Sequence, residues 1–383
     1  MNRIHHTPRR ITVAVLSIAL VAALAGCQGA PPADREVRPD IRTELVEWAR
    51  LAQNAHNMQT WRVVADPRDV TRLTLYLEPS RMLPETDPPA RQVTISAGTF
   101  LAVLEARAAQ LGYEARIDLL PAGDYTVEQI ASRPVAEVTL VPASGVRSEF
   151  AVAADPDAIT RPTVKYRYRP AALDAGTIDR IESYGTDAIR ISVVTEPAEV
   201  AWINELSVEV FTLEMENEPT MLESYDNTRM TGRQRRAQPW GLSYTQNFPV
   251  RTLVALDAIS SIAPQKPEAY ARTGIRIYEK AMEEINAYVV IVTDSNDRRT
   301  QVEAGMRLQA LWMELHAVDH VGLPNSQALQ EYPEMAELYD RVHQRYAPEG
   351  GTVQMILAVA QPKGGVHRFS PRIAAEDLIV TGD

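Results

Sequence analysis

Between residues 54 and 61 the chain reads Asn-Ala-His-Asn-Met-Gln-Thr-Trp, three side-chain amides and an imidazole crowded before a tryptophan. Each amide carries donors and an acceptor, so a turn presenting Asn54, His56, Asn57 and Gln59 can read the edge of a small polar molecule. A second stretch runs Arg161-Pro-Thr163-Val-Lys165-Tyr-Arg167-Tyr-Arg169. Cation, hydroxyl and cation at alternate positions fall on one side of an extended segment and can converge on one anion. A forked guanidinium, a neutral hydroxyl donor and a mobile ammonium together suit a phosphate, or a ring carrying negative charge on a nitrogen and a carbonyl.

Two other groupings compete for attention. Glu314-x-His316-x-x-x-His320 sets two imidazoles four residues apart, as zinc ligands on a helix are, although two such ligands fall short of a complete set. Arg229, Arg233, Arg235 and Arg236 could meet an anionic nicotinamide cofactor, or form a mobile surface loop.

The elements that must position these groups can be read from periodicity. Ile41, Leu45, Trp48, Ala49 and Ala52 recur at helical spacing until the polar turn 54–60 stops them. Residues 61–65 and 73–79 read as strands, 93–111 as a long helix ending at Gly112, and 114–121 and 135–142 as further strands. Later in the chain, 287–294 reads as a buried strand, 301–320 as a second long helix ending at Gly322, and 353–362 as the last strand. This loose repetition of helix, glycine and strand predicts an α+β fold of two similar halves, 41–150 and 151–383, joined as a pseudo-dimer. Residues 197–250 between them, helical and then arginine-rich, read as a crossing arm, with a lid at about 219–249.

At 383 residues, 45% apolar and 23% charged, the chain has the balance of a folded globular protein. A net charge of −11 argues against nucleic acid or an anionic membrane surface as a general partner. The N-terminus is a different object: a basic stretch with Arg9-Arg10, then the apolar run 11–26, then Cys27, the only cysteine. Leu24-Ala25-Gly26-Cys27 has the form of a bacterial lipobox, which predicts a signal peptide over 1–26, lipidation of Cys27, and a Pro- and charge-rich tether over 27–40. The chain is therefore expected to be exported and lipid-anchored to the cell envelope, with Arg9-Arg10 suggesting the twin-arginine route.

Four blocks resemble one superfamily. Arg161-Pro-Thr163-Val-Lys165 is similar to the R-[RH]-[ST]-x-[RK] signature by which nitroreductase-like flavoproteins hold FMN. Residues 52–62 resemble that superfamily's A-P-S-x-H-N-x-Q-P-W-R stretch, and Phe369-Ser370-Pro371-Arg372 resembles its closing S-P-R. Residues 91–101, continuing to Gly112-Tyr113 and Leu119-Leu120-Pro121, are similar to the R-x-x-x-I-S-x-G-x-x-L helix of the Acg subgroup, in which one chain carries two nitroreductase-like halves. The blocks stand in the family's order from residue 41 onward. Gln53 and Asn54 replace the family's Pro and Ser, Thr60 its second Pro, and Pro162 a basic residue.

The resemblance implies one FMN per chain, shared between the halves, with no partner subunit needed to complete its site. Arg161 and Arg372 would face the phosphate, with Thr163 donating beside them. Lys165 would sit by the flavin N1 and C2 carbonyl, where a cation stabilises the anionic reduced ring. Asn54, His56, Asn57 and Gln59 would meet the ring's polar edge. Such a protein passes hydride or electrons through flavin N5 to a flat acceptor such as a nitroaromatic or a quinone, drawing on NAD(P)H or, outside the cytoplasm, a membrane-derived donor. The alternative from another class is a protein that sequesters or stores FMN beneath its lid.

Overall fold

The computed structural model describes residues 40–155, 159, 168–243, 266–363 and 370–382. The leader with Cys27, the cationic limb of Arg161, Thr163 and Lys165, residues 244–249 of the expected lid, and Phe369 lie outside the described residues. No described helix is long and apolar enough to cross a membrane.

The first part of the chain forms α1 (Ile41–Ala49), β1 (Trp61–Ala65), β2 (Arg72–Leu77), α2 (Arg91–Gln110), β3 (Tyr113–Leu119) and β4 (Ala136–Pro142). Asp40 caps α1 by accepting from the Arg42 amide. Gly112, at φ +82°, takes the left-handed conformation expected after α2. β1, β2 and β4 alternate buried and more exposed residues, and their buried face packs with α1 and α2 around Trp61, Leu75, Phe100 and Val138.

The second part contains β5 (Tyr168–Pro170), α3 (Ala175–Glu182), β6 (Ile189–Val194), α4 (Pro197–Glu216), α5 (Glu218–Asp226), β7 (Thr228–Arg229), α6 (Gly232–Ala237), β8 (Leu242–Ser243) and α7 (Pro267–Met282). After these come β9 (Ala287–Thr293), α8 (Arg298–Ala317), β10 (Val321–Pro324), α9 (Ala336–Tyr346), β11 (Thr352–Pro362), α10 (Ala375–Leu378) and β12 (Ile379–Thr381). β9 and the first nine residues of β11 are buried throughout, so this sheet is covered on both faces. The fold is α+β.

The two sheets repeat one arrangement. In the first the order is β1-β2-β4-β3, in the second β6-β9-β11-β10, and every one of these pairings is antiparallel. The arm therefore leaves and re-enters between β6 and β9, two adjacent strands of one sheet. The repetition extends to the long helices. Arg91, Ala97, Gly98, Leu101 and Leu104 of α2 recur in α8 as Arg298, Ala304, Gly305, Leu308 and Leu311 at constant spacing.

α2 and α8 pack against each other at their glycines. A Cβ on Gly98 would overlap the Val302 carbonyl oxygen, and one on Gly305 would overlap that of Ile95. Arg91 reaches across to Glu331 (2.7 Å) and the Gln354 carbonyl (3.2 Å), while Arg298 reaches back to the Pro89 carbonyl (2.7 Å). β12 lies parallel to β1 on the edge of the first sheet, so the end of the chain returns to its beginning.

The second long helix differs from its sequence expectation at both ends. Asp297 caps it by accepting from the Thr300 amide, so it starts at Arg298, and Ala317 ends it. Asp319, at φ +58°, is the left-handed residue after it, and Gly322 belongs to β10. His320 is therefore outside the helix, and His316 and His320 do not share a helical face.

Candidate functional site

The stretch Asn54–Trp61 is a strained turn rather than a helix end. Its centre is a 3-10 turn, Ala55–Asn57, and His56, Asn57 and Gln59 all have left-handed backbones, at φ +46°, +55° and +51°. Each such residue costs on the order of 1 kcal/mol or more for a side chain other than glycine. Three in four positions persist only because the surroundings over-determine them.

Those surroundings are specific. The Ala55 amide donates to Ser96 Oγ at 3.0 Å, and the Trp61 indole donates to the Ser96 carbonyl at 2.9 Å. The Thr99 hydroxyl donates to the Gln53 carbonyl at 2.5 Å, and the Gln53 amide donates to Gln309 Oε1 of α8 at 3.1 Å. Asn54 closes the turn from inside, accepting from the Gln59 amide at 2.8 Å. Arg81 holds its exit, donating to the carbonyls of Gln59 (3.0 Å) and Trp61 (2.9 Å). Sequence reasoning missed Arg81 and Gln309, because neither belongs to a local pattern and only the fold brings them to the turn.

Asn57 and Gln59 use their amides to hold two other segments of the chain. Asn57 Nδ2 donates to the Gly241 carbonyl (3.1 Å) and the Pro371 carbonyl (3.2 Å), and the Gly241 amide donates back to the Asn57 carbonyl at 2.9 Å. Gln59 is fully buried; its Nε2 donates to the Pro239 carbonyl at 2.8 Å, and its Oε1 accepts from the Ile373 amide at 2.8 Å. In this arrangement both side chains face protein backbone, and neither presents an open edge to a ring. The segment 239–241, within the expected lid, is seated on the turn.

Arg372 is where turn and tail meet. Its Nη1 donates to Asn57 Oδ1, its Nη2 to the Leu51 carbonyl at 3.4 Å, and its Nε is buried with no hydrogen-bond partner. Burial pushes its guanidinium down to about 10, with the Arg50 cation acting in the same direction. No carboxylate opposes it among the described residues. A cation so placed has the chemistry to receive an anion.

Of the expected site residues, the structure brings Asn54, Asn57, Gln59 and Arg372 into one hydrogen-bonded cluster, with His56 in the same turn. Arg161, Thr163 and Lys165 fall outside the described residues. The arm's arginines divide: Arg229 is buried in β7, whereas Arg233 and Arg236 are exposed on α6, a helix with a Thr231–Gln234 capping box where a loop was one expectation. His316 accepts from the Trp312 indole at 3.1 Å, and His320 Nε2 accepts from the Ala172 amide at 3.2 Å, so both rings serve local packing.

No protein-family model matches the chain, and no curated protein matches it. Among solved structures it is similar to a nitroreductase with bound FMN from Desulfitobacterium hafniense DCB-2, at 10% identity and a TM-score of 0.34, over 59% of this chain and 96% of that one. An FMN and NADPH-dependent nitroreductase from sphigopyxis sp. strain HMH aligns at 12% identity and a TM-score of 0.33, over 58% of this chain and 96% of its own. A nitroreductase with bound FMN from Bacteroides fragilis NCTC 9343 aligns at 10% identity and a TM-score of 0.31, over 59% and 95%. Each likeness spans little more than half of this chain and nearly all of the other.

Proposed function

We propose that this chain is an FMN-binding oxidoreductase of nitroreductase type, with one flavin site assembled from both parts of the chain. The observation that carries the reading is Arg372: a desolvated guanidinium with an unpartnered Nε and no opposing carboxylate among the described residues, fixed by Asn57 on a strained turn. Such a cation fits the phosphate end of FMN. In this reading Arg161, Thr163 and Lys165 complete the phosphate and pyrimidine contacts from the other limb. FMN, when bound, supplies hydride and electron transfer at N5. The protein's part is to hold the phosphate, orient the ring and exclude water, and no side chain is needed as nucleophile.

The polar edge of the ring fits less directly. Asn57 and Gln59 are bonded to Gly241, Pro239 and the tail, so they become available to a flavin only if the segment 239–241 gives way. That same observation favours a second reading, in which the seated arm makes the chain a protein that sequesters or stores FMN. An acceptor such as a quinone or nitroaromatic, a donor that is either NAD(P)H or membrane-derived, lipidation at Cys27 and an envelope location remain part of the proposal on the sequence alone.

The test is the visible spectrum of the purified chain with added FMN, followed by anaerobic NADH, NADPH and a reduced quinone. The proposal predicts one flavin per chain and about ten- to a hundredfold weaker binding in Arg372→Ala, the loss of one charge-assisted contact. Bleaching of bound flavin by a donor and its return on adding an acceptor favour the oxidoreductase; tight flavin that none of the three donors reduces favours storage. Undiminished affinity in Arg372→Ala sinks both.

A further inference from the structure

The arm carries a second buried cation without a counter-charge among the described residues. Arg229 is 6% exposed, its Nη1 donates to the Asp226 carbonyl at 2.9 Å, and its Nε is buried with no partner. Burial holds its guanidinium below the ordinary arginine range, and no carboxylate among the described residues works against that. Opposite it in the parallel β7–β8 pairing is Ser243, whose hydroxyl is likewise buried and unpartnered. Gly241 leaves room for the guanidinium, since a Cβ there would come 3.1 Å from Arg229 Cζ. Gly241 is also the residue bonded to Asn57, which accepts from Arg372.

Three other buried guanidiniums among the described residues have their partners. Arg42 is paired with Asp40, Arg91 with Glu331, and Arg298 donates to Pro89, Ala90, Thr94, Gln301 and Tyr125. Leaving a buried ion uncompensated costs several kcal/mol, so a cation left this way beside an idle hydroxyl lacks its anion. We infer that Arg229 and Ser243 form an oxyanion subsite on the arm, beside the turn, which takes a phosphate or carboxylate group. The inference rests on the arm's own geometry and does not require the flavin reading. The oxyanion is either the phosphate of FMN itself or the anionic group of a second small molecule.

The experiment is thermal unfolding of the flavin-free full chain, titrated with inorganic phosphate against sodium chloride of matched ionic strength, in an Arg372→Gln background that removes the neighbouring receptor. Phosphate is expected to raise the midpoint beyond the chloride control, and Arg229→Met and Ser243→Ala to abolish most of that rise. Arg229→Lys, which keeps the charge, should retain part of it. Without phosphate, Arg229→Met should melt at or above its parent, because an uncompensated buried charge has been removed.

Flavin titrations separate the two sources in the chain with Arg372 intact. About tenfold weaker FMN binding in Arg229→Met with riboflavin unchanged assigns the anion to the flavin; unchanged binding of both, with the phosphate response lost, assigns it to a second molecule. A phosphate response that survives Arg229→Met and Ser243→Ala makes Arg229 a packing residue and overturns the subsite. If Arg229→Met does not fold, Ser243→Ala decides in the same way. A chain that binds no flavin but shows the Arg229-dependent phosphate response loses the flavin reading alone.

Discussion

Gly98 and Gly305 face each other across the crossing of α2 and α8: a Cβ built on Gly305 would lie 3.1 Å from the Cα of Gly98. Each glycine also faces a backbone carbonyl of the other helix, where nothing can rotate away. A methyl group at either position must therefore push the helices apart, separating Arg91 from Glu331 and Arg298 from Pro89. Gly98→Ala and Gly305→Ala are each expected to destabilise the chain by about 3 kcal/mol or more, above the helix-propensity gain of about 1 kcal/mol that alanine brings. Urea unfolding measures this. The double variant should cost less than the sum, since the first methyl already opens the crossing.

Gln59→Ala makes a second prediction. It leaves the Ile373 amide and the Pro239 carbonyl without the partners that now satisfy them in a buried place. The expected loss is about 2–4 kcal/mol. The tail should come loose before the rest, so limited digestion should cut between 370 and 382 faster than in the parent, with α2 and α8 still protected. Equal cutting rates would show that Gln59 does not hold the tail.

The strands and the first long helix were legible because their signals are local. Residues 61–65 form β1 as expected, and 287–294 matches β9 within one residue, because alternation and apolar runs report burial directly. The turn 54–59 was legible as polar and special, but its partners were not. Asn57 and Gln59 have the same donors and acceptors whether they meet a flavin edge or a peptide backbone, and only the fold brings Gly241 and Pro371 to them. The sequence points to Gly322, a common kind of helix stop, as the end of α8, whereas Asp319 takes the left-handed position. The matching of Arg91, Gly98 and Leu101 with Arg298, Gly305 and Leu308 was present in the sequence, yet too sparse to single out before the two helices were seen to cross.

Stability should depend on pH through Glu214 in α4. Burial pushes its carboxyl up from 4.5 to about 7, assisted by Glu223 and opposed by hydrogen bonding with Ser224, Gln330 and Gln327. A raised carboxyl favours the protonated folded state, so its contribution is full below 4.5 and is lost as pH rises through 7. The shift corresponds to about 3 kcal/mol. Asp87, raised from 3.8 to about 6 by burial, acts in the same direction at lower pH. Urea midpoints should fall between pH 4.5 and 7, and Glu214→Gln should flatten that fall. An unchanged slope in Glu214→Gln would assign the dependence elsewhere.

Gly241 offers a way to lift the arm without touching Asn57, Gln59 or Arg372. Its φ of +91° belongs to the region glycine tolerates, and a Cβ would overlap the Asn227 carbonyl oxygen and come within 3.1 Å of Arg229. Alanine there costs about 1 kcal/mol for the backbone and about 1–3 kcal/mol for the overlap, against an arm held on the turn by a few hydrogen bonds. Gly241→Ala should therefore part β8 from β7 and displace 239–241 from its seat on the turn, and trypsin should cleave after the exposed Arg236 faster than in the parent while the two large sheets remain intact. If the segment 239–241 covers the flavin's polar edge, the same variant should bind and release FMN faster, with association and dissociation both accelerated. Faster cleavage with unchanged flavin kinetics would mean that the arm and the cofactor occupy different places, and that Asn57 and Gln59 serve only to tie the chain's end to its beginning.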